Sequence, residues 1–130
     1  MRHEEISEKI IKAFYSVYNI LGYGFMEKVY ENALAIEFEK EGLSFEKQAA
    51  IEVLYDEKVV GNYIADFIVD GKIIVEVKAV VQLCGKEENQ LLNYLTATDK
   101  EVGLLLNFGE KAQIKRKVYD NELKVWMKRE

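Results

Sequence analysis

Residues 63–80 read YIADFIVDGKIIVEVKAV. Two runs rich in Val, Ile, Phe and Tyr flank Asp70-Gly71, the pattern of two strands joined by a turn. Three charges interrupt the apolar runs: Asp66, Glu76 and Lys78. A charge in a strand bound for a core is costly unless it is paired or binds something. The register across the turn decides where these charges go. The odd positions Tyr63, Ala65, Phe67, Val69, Ile73, Val75, Val77 and Ala79 are all apolar. A loop with an odd number of residues, such as Val69-Asp70-Gly71 with Gly71 left-handed, puts odd positions on one face and even positions on the other. A two-residue turn would pair Asp66 with Val75 and scatter charge over both faces. Burial therefore favours the odd loop. Asp66, Glu76 and Lys78 then share one face, ringed by Ile64, Ile68 and Ile74.

Two carboxylates on one face repel each other unless a cation sits between them. Proteins hold Mg²⁺ with one or two carboxylates plus substrate phosphates, and Mn²⁺ is the alternative ion. Lys78 beside them could orient a water or stabilise charge developing on a phosphate. The plain alternative is a cross-strand ion pair of Lys78 with Asp66 or Glu76 on a solvated face.

The flanking sequence predicts the rest of the fold. Ile6, Ile10, Phe14, Val17 and Leu21 recur at helical spacing, giving a helix over 5–21. "GYG" at 22–24 breaks it. A second helix runs over 25–40, with Val29, Ala33, Leu34 and Phe38 as its apolar face and Gly42 as its stop. Residues 46–55, 59–69 and 73–80 form a meander of three strands. Helical spacing returns at 87–97. "VGLLLNF" (102–108) is an apolar strand inside the sheet. A strand or helix follows at 112–119, and "ELKVWMKRE" ends the chain as a short helix. The order ααβββαβ plus a C-terminal element predicts an α/β (α+β) fold: one mixed sheet flanked by helices.

At 130 residues, with no proline and no Ser/Gly-rich linker, residues 1–130 are expected to form one domain. No apolar run reaches the roughly 18 residues of a membrane span. The opening "MRHEEISEKIIKAFY" lacks the layout of a secretory leader. A lone Cys84 excludes a disulfide framework and a thiolate metal site, and fits a reducing cytosol. The expectation is a cytoplasmic protein without a membrane anchor or small-molecule cofactor. His3, the single histidine, reads as a solvated residue. A net charge of −5 argues against a surface that binds nucleic acid all over. Lys111, Lys115, Arg116, Lys117, Lys124, Lys128 and Arg129 concentrate base at the C-terminal end. They form either a solvated mixed-charge end or a patch that steers phosphate.

Two helical motifs complete the candidate set. "GFMEKVY" (24–30) puts Glu27 in the first turn of a helix, with Tyr30 on the same face. An acid there is also an ordinary capping residue. "QLLNY" (90–94) puts Gln90 and Tyr94 on one helical face, which is equally a polar helix edge.

Asp66 followed across a hairpin by Glu76-x-Lys78 resembles the core motif of the PD-(D/E)XK nuclease superfamily. An acid on a preceding helix and a following Gln-x-x-x-Tyr helix resemble its exonuclease-like branches. "LGYGFMEKVYENALAIEFEKEGL", "YIADFIVDGKIIVEVKAV" and "NQLLNYLTATDKEVGLLLNFG" look, more closely, like the GxxExxY protein family, over roughly residues 6–118. That resemblance implies a restriction-endonuclease-like fold. It carries over Glu27, Asp66, Glu76 and Lys78 as the acid–acid–acid–base set. Asp66, Glu76, Glu27 and the Val77 carbonyl become the metal ligands, with Gln90 and Tyr94 at the pocket edge. This chain has Tyr18, Tyr23, Ile64 and Glu87 where members often carry His, Pro, a basic residue and His, respectively. The activity implied is a Mg²⁺-dependent nuclease, a hydrolase of phosphate esters acting on DNA or RNA. The acidic surface leaves grip on such a substrate to a homodimer or a partner. The alternative function is a non-catalytic module of the same fold that binds nucleic acid or a protein.

Overall fold

In a computed structural model that describes residues 2–128, the chain runs α1 (Glu4–Leu21), α2 (Glu27–Lys40), β1 (Phe45–Tyr55), β2 (Lys58–Val69), β3 (Ile73–Lys78), α3 (Gly85–Ala97), β4 (Val102–Phe108) and β5 (Ala112–Val118). The segment at 112–119 is thus a strand, and the C-terminal helix is two short 3₁₀ turns, Asn121–Leu123 and Val125–Lys128. Five strands form one sheet in the order β1-β2-β3-β4-β5. Only β3 and β4 are parallel. Parallel neighbours need a crossover, and α3 supplies it.

The helices divide between the two faces. Ile10, Phe14 and Val17 of α1, with Tyr30, Leu34 and Phe38 of α2, pack on Phe67, Val75, Val77, Leu104, Leu106 and Phe108. Leu91, Tyr94 and Leu95 of α3 pack on Ile74 and Leu105 from the other side. Strand β4 is buried on both faces, which is why its apolar residues run without alternation. No helix among the described residues is long and apolar enough to cross a membrane.

Helix α2 is rotated from its expected face. Val29 is 39% exposed, while Tyr30 and Glu31 are buried. The Tyr30 ring stacks on Phe108 at 4.2 Å and 9°, and that large contact sets the rotation. The helix begins at Glu27 rather than Phe25, so Glu27 is its first residue and not its third. Gly42 ends it as expected, left-handed at φ 76°. Leu43 N–H donates to the Phe38 carbonyl and Gly42 N–H to that of Glu39, closing the free carbonyls.

The β2–β3 loop has the expected odd length, shifted by one residue. Val69 pairs with Ile73, so Asp70, Gly71 and Lys72 form the loop. Asp70 and Gly71 are both left-handed. Asp is among the residues that tolerate that region, and here its side chain is held from outside the loop: Asp70 Oδ1 accepts from Ser44 N–H and Oγ.

The odd positions do not all share a face. Phe67 and Val69 face α1 and α2, but Ala65 joins the cluster under α3. Tyr63 meets Tyr94 of α3 at 5.6 Å. The switch falls at Asp66 and at Gln48 on the neighbouring strand, a step missing from the β1–β2 pairing. Gln48 is left-handed at φ 52°. Strict two-residue alternation assumes extended backbone, and one left-handed residue turns the ribbon over. Beyond this step β1 and β2 pair only with each other, and Leu54, Tyr55, Val60 and Ile64 stand exposed.

Two of the basic residues near the C-terminal end are taken up by structure, while Lys111 and Lys115 stand exposed. Lys124 is 1% exposed, and its Nζ donates to the carbonyls of Thr98 and Lys100, both at 2.7 Å. Burial lowers its pKa. Lys117 pairs with Glu88 at 2.8 Å. Arg129 lies outside the described residues.

Helix α3 approaches the sheet over Gly103, where an added Cβ would lie 2.7 Å from Leu91 Cδ1. Gly103→Ala is expected to lower stability by about 1–3 kcal/mol in urea unfolding. Adding Leu91→Ala should cost less than the sum of the two single changes, because it removes the clash.

Candidate active site

Strands β2 and β3 pair as far as Phe67 and Val75, and then the ladder stops. At the next step the two acids take over. Asp66 N–H donates to Glu76 Oε2 at 2.8 Å, and Val77 N–H donates to Asp66 Oδ2 at 2.7 Å. Each carboxylate thus satisfies a backbone donor of the facing strand, which buried peptide groups require. Among the described residues, Asp66 Oδ1 and Glu76 Oε1 accept no hydrogen bond. N–H and C=O of one strand residue point to the same side. The Val77 carbonyl therefore faces the same opening between β2 and β3.

The electrostatics follow from burial. Glu76 is 5% exposed. Desolvation, then the Asp66 charge, pushes its pKa up to about 8. Asp66 is raised too, chiefly by burial, against the lowering effect of the Val77 N–H. Lys78, half-buried at the end of β3, lowers both, and Glu27 raises both. Glu27 itself is exposed at the start of α2, on the rim of the cluster.

Glu31 went unnoticed in the sequence. It lies one turn after Glu27, 5% exposed, and its charge acts on Asp66 more strongly than that of Lys78 or Glu27. Its Oε1 accepts from Gln48 Nε2 at 2.8 Å and from Lys28 Nζ at 3.4 Å. The available signal was the i, i+4 spacing of Glu27 and Glu31. Tyr30, in contrast, lies in the core and not beside Glu27. Its hydroxyl donates to the Gly22 carbonyl at 2.8 Å and accepts from Phe25 N–H at 3.1 Å. It thereby fixes the loop that leads into Glu27, in which Gly24 has φ 111°.

From the opposite face, α3 brings Tyr94 to the acids. Burial, then the charges of Glu76 and Asp66, pushes its hydroxyl up to about 12. Gln90 and Tyr94 line a cleft of about 600 Å³ together with Tyr63, Asn89 and Asn93. The structure thus gathers Asp66, Glu76, Lys78 and Tyr94, places Glu27 at the rim, and sets Gln90 along the adjoining cleft. Among the described residues, no three Asp, Glu, His or Cys side chains form a ready metal cage.

A second set of side chains holds the segment after Lys78. Asn107, fully buried at the end of β4, accepts from Val80 N–H and donates to its carbonyl, both at 2.9 Å. Its Nδ2 also donates to Gln113 Oε1, which accepts from Leu83 N–H. An added Cβ at Gly109 would strike the Val80 carbonyl. Asn107 was legible only as the one polar residue in "VGLLLNF". Glu87 caps α3, its Oε1 accepting from Cys84 N–H at 2.8 Å. Tyr18 donates to the carbonyls of Gly109 and Glu110. Both positions therefore have structural partners here.

Glu76 makes stability depend on pH. Its folded pKa of about 8 lies above its ordinary value of 4.5, so the folded state holds a proton that the unfolded chain has lost. That contribution is full below pH 4.5 and is lost as pH rises through about 8. Urea unfolding in EDTA is expected to show stability falling by a few kcal/mol across this window. Glu76→Gln should flatten the decline. Equal slopes in both proteins would show that Glu76 does not titrate there.

The sequence profile of the PD-(D/E)XK nuclease superfamily matches residues 4–117. Among curated proteins, none matches the chain. The crystal structure of SSO0001 superposes with a TM-score of 0.56 at 19% identity, covering 96% of this chain and 68% of that one. At that identity the likeness concerns the fold alone. The five-stranded mixed sheet, its flanking helices and the profile match agree on a restriction-endonuclease-like architecture. The chain belongs to the PD-(D/E)XK nuclease superfamily.

Proposed function

We propose that this protein is a divalent-metal-dependent phosphodiesterase that cuts nucleic acid. The observation that carries this is the pair of oxygens, Asp66 Oδ1 and Glu76 Oε1, that accept no hydrogen bond among the described residues, on acids that burial and neighbouring carboxylates hold above their ordinary pKa. Two desolvated carboxyls that repel each other form a donor set suited to a hard cation. Asp66 and Glu76 would hold Mg²⁺ or Mn²⁺, with the Val77 carbonyl and Glu27 as further ligands. The ion would supply Lewis-acid polarisation of the phosphate and an activated water.

The chain's own residues supply the rest. Lys78 places a positive charge beside the two acids, where it orients the nucleophile or offsets charge building on the phosphate. Gln90 offers an amide to water or phosphate, and Tyr94, its ring buried, a neutral hydroxyl beside the acids. Gly24, Glu27 and Tyr30 support a narrower placing in the GxxExxY family, since Tyr30 anchors the loop that presents Glu27. One observation favours the second reading, a non-cutting module. Each acid already spends one oxygen on a backbone N–H, and no three-ligand cage stands ready among the described residues.

Cleavage assays separate the two. The protein is incubated with labelled single-stranded DNA, duplex DNA and RNA, with Mg²⁺, Mn²⁺ or EDTA. Metal-dependent cleavage is expected, falling about 100-fold or more in Asp66→Ala and in Asp66→Asn. Identical behaviour of wild type and both variants would rule out the nuclease reading.

A further inference from the structure

The face of the site formed by α3 also bears on the substrate, on the premise that the acids act on nucleic acid. The cleft of about 600 Å³ at Tyr94 adjoins a second hollow of about 390 Å³ that ends at Trp126, and Tyr63 and Asn93 line both. Two exposed aromatic rings, Tyr63 and Trp126, therefore mark one continuous track that leads away from the buried Tyr94 and the acids. Tyr63 stands 5.6 Å from Tyr94 at a tilt of 47° and is 49% exposed. Trp126 is 38% exposed, and its Nε1 donates to the Thr96 carbonyl at 2.7 Å, which fixes the indole. Side-chain amides lie between the rings: Asn89, Gln90 and Asn93.

The charge along this track is wrong for a duplex. Duplex binders neutralise rows of phosphates with Lys and Arg. Lys86 is the one cation among the described lining residues, in a chain of net charge −5. Rings and amides instead match what a duplex hides: base faces, which stack, and base edges, which exchange hydrogen bonds with amides. The track exists because Gln48 turns the β1–β2 ribbon over and carries Tyr63 to the α3 side. We infer that it seats unpaired nucleotides, so that the strand delivered to Asp66 and Glu76 is single-stranded, with its bases running past Tyr63 to Trp126.

Trp126 is the only tryptophan, so its fluorescence reports on the track directly. The full chain in EDTA is titrated with oligothymidylate, oligouridylate and a blunt hairpin duplex. Saturable quenching by one or both single strands, and none by the duplex, is the expected result. Tyr63→Ala should weaken binding about tenfold, while Tyr63→Phe keeps it, since stacking survives loss of the hydroxyl. Circular dichroism confirms that each variant is folded. Equal or tighter quenching by the duplex would overturn the inference. So would unchanged affinity in Tyr63→Ala, including the case where that variant only dissociates a dimer on sedimentation. Binding is read without metal or cleavage, so an inactive protein that still binds single strands fails only the nuclease reading. Duplex cleavage without single-strand quenching fails only the track.

Discussion

Two hydrogen bonds across a gap in the sheet, Asp66 N–H to Glu76 and Val77 N–H to Asp66, determine the character of this molecule. Where two strands part, their inner N–H groups lose their carbonyl partners and must find others. Here the substitutes are carboxylates, and each belongs to the opposite strand. The arrangement holds the strands at a fixed separation and draws two acids into an apolar layer. Burial and repulsion raise both pKa values, and the two N–H donors partly offset this. The same constraint leaves one oxygen of each acid free in the opening.

The rest of the fold holds that opening from both faces. On one side, Tyr30 stacks on Phe108 and ties down the loop before α2, which sets Glu27 at the rim and Glu31 beside Asp66. On the other, Gly103 lets α3 sit close enough to bring Tyr94 to the acids. Asn107 and Gln113 fix the segment between Lys78 and α3 with bonds to Val80 and Leu83. The site is thus built on strand ends and helix faces, which hold geometry better than free loops do.

Charge is distributed with a consequence for binding. The basic residues that cluster near the C-terminus in sequence are partly consumed by structure. Lys124 holds the carbonyls that follow α3, and Lys117 pairs with Glu88. Among the described residues lining the cleft and the hollow beside it, Lys86 is the one cation, and rings and amides predominate. For the single strand inferred above, a site of this composition would favour contact with bases over contact with phosphates.

By itself, the sequence determined the elements as far as β4, the odd length of the loop after β2, and the grouping of Asp66, Glu76 and Lys78. These follow from burial and period, which are local: apolar residues every second or every third to fourth position mark one face of a strand or helix. Tertiary structure decided the rest. Nothing local asks Gln48 to be left-handed, yet that residue reverses the faces of Ala65 and Tyr63. The burial of Glu31 depends on how Tyr30 seats α2 against β4. Asn107, Lys124 and the Asp66–Glu76 exchange all satisfy backbone groups 10 to 27 residues away. A hydrogen bond to a distant peptide group leaves no periodic trace in the chain, so such roles appear only once the strands and helices are in place.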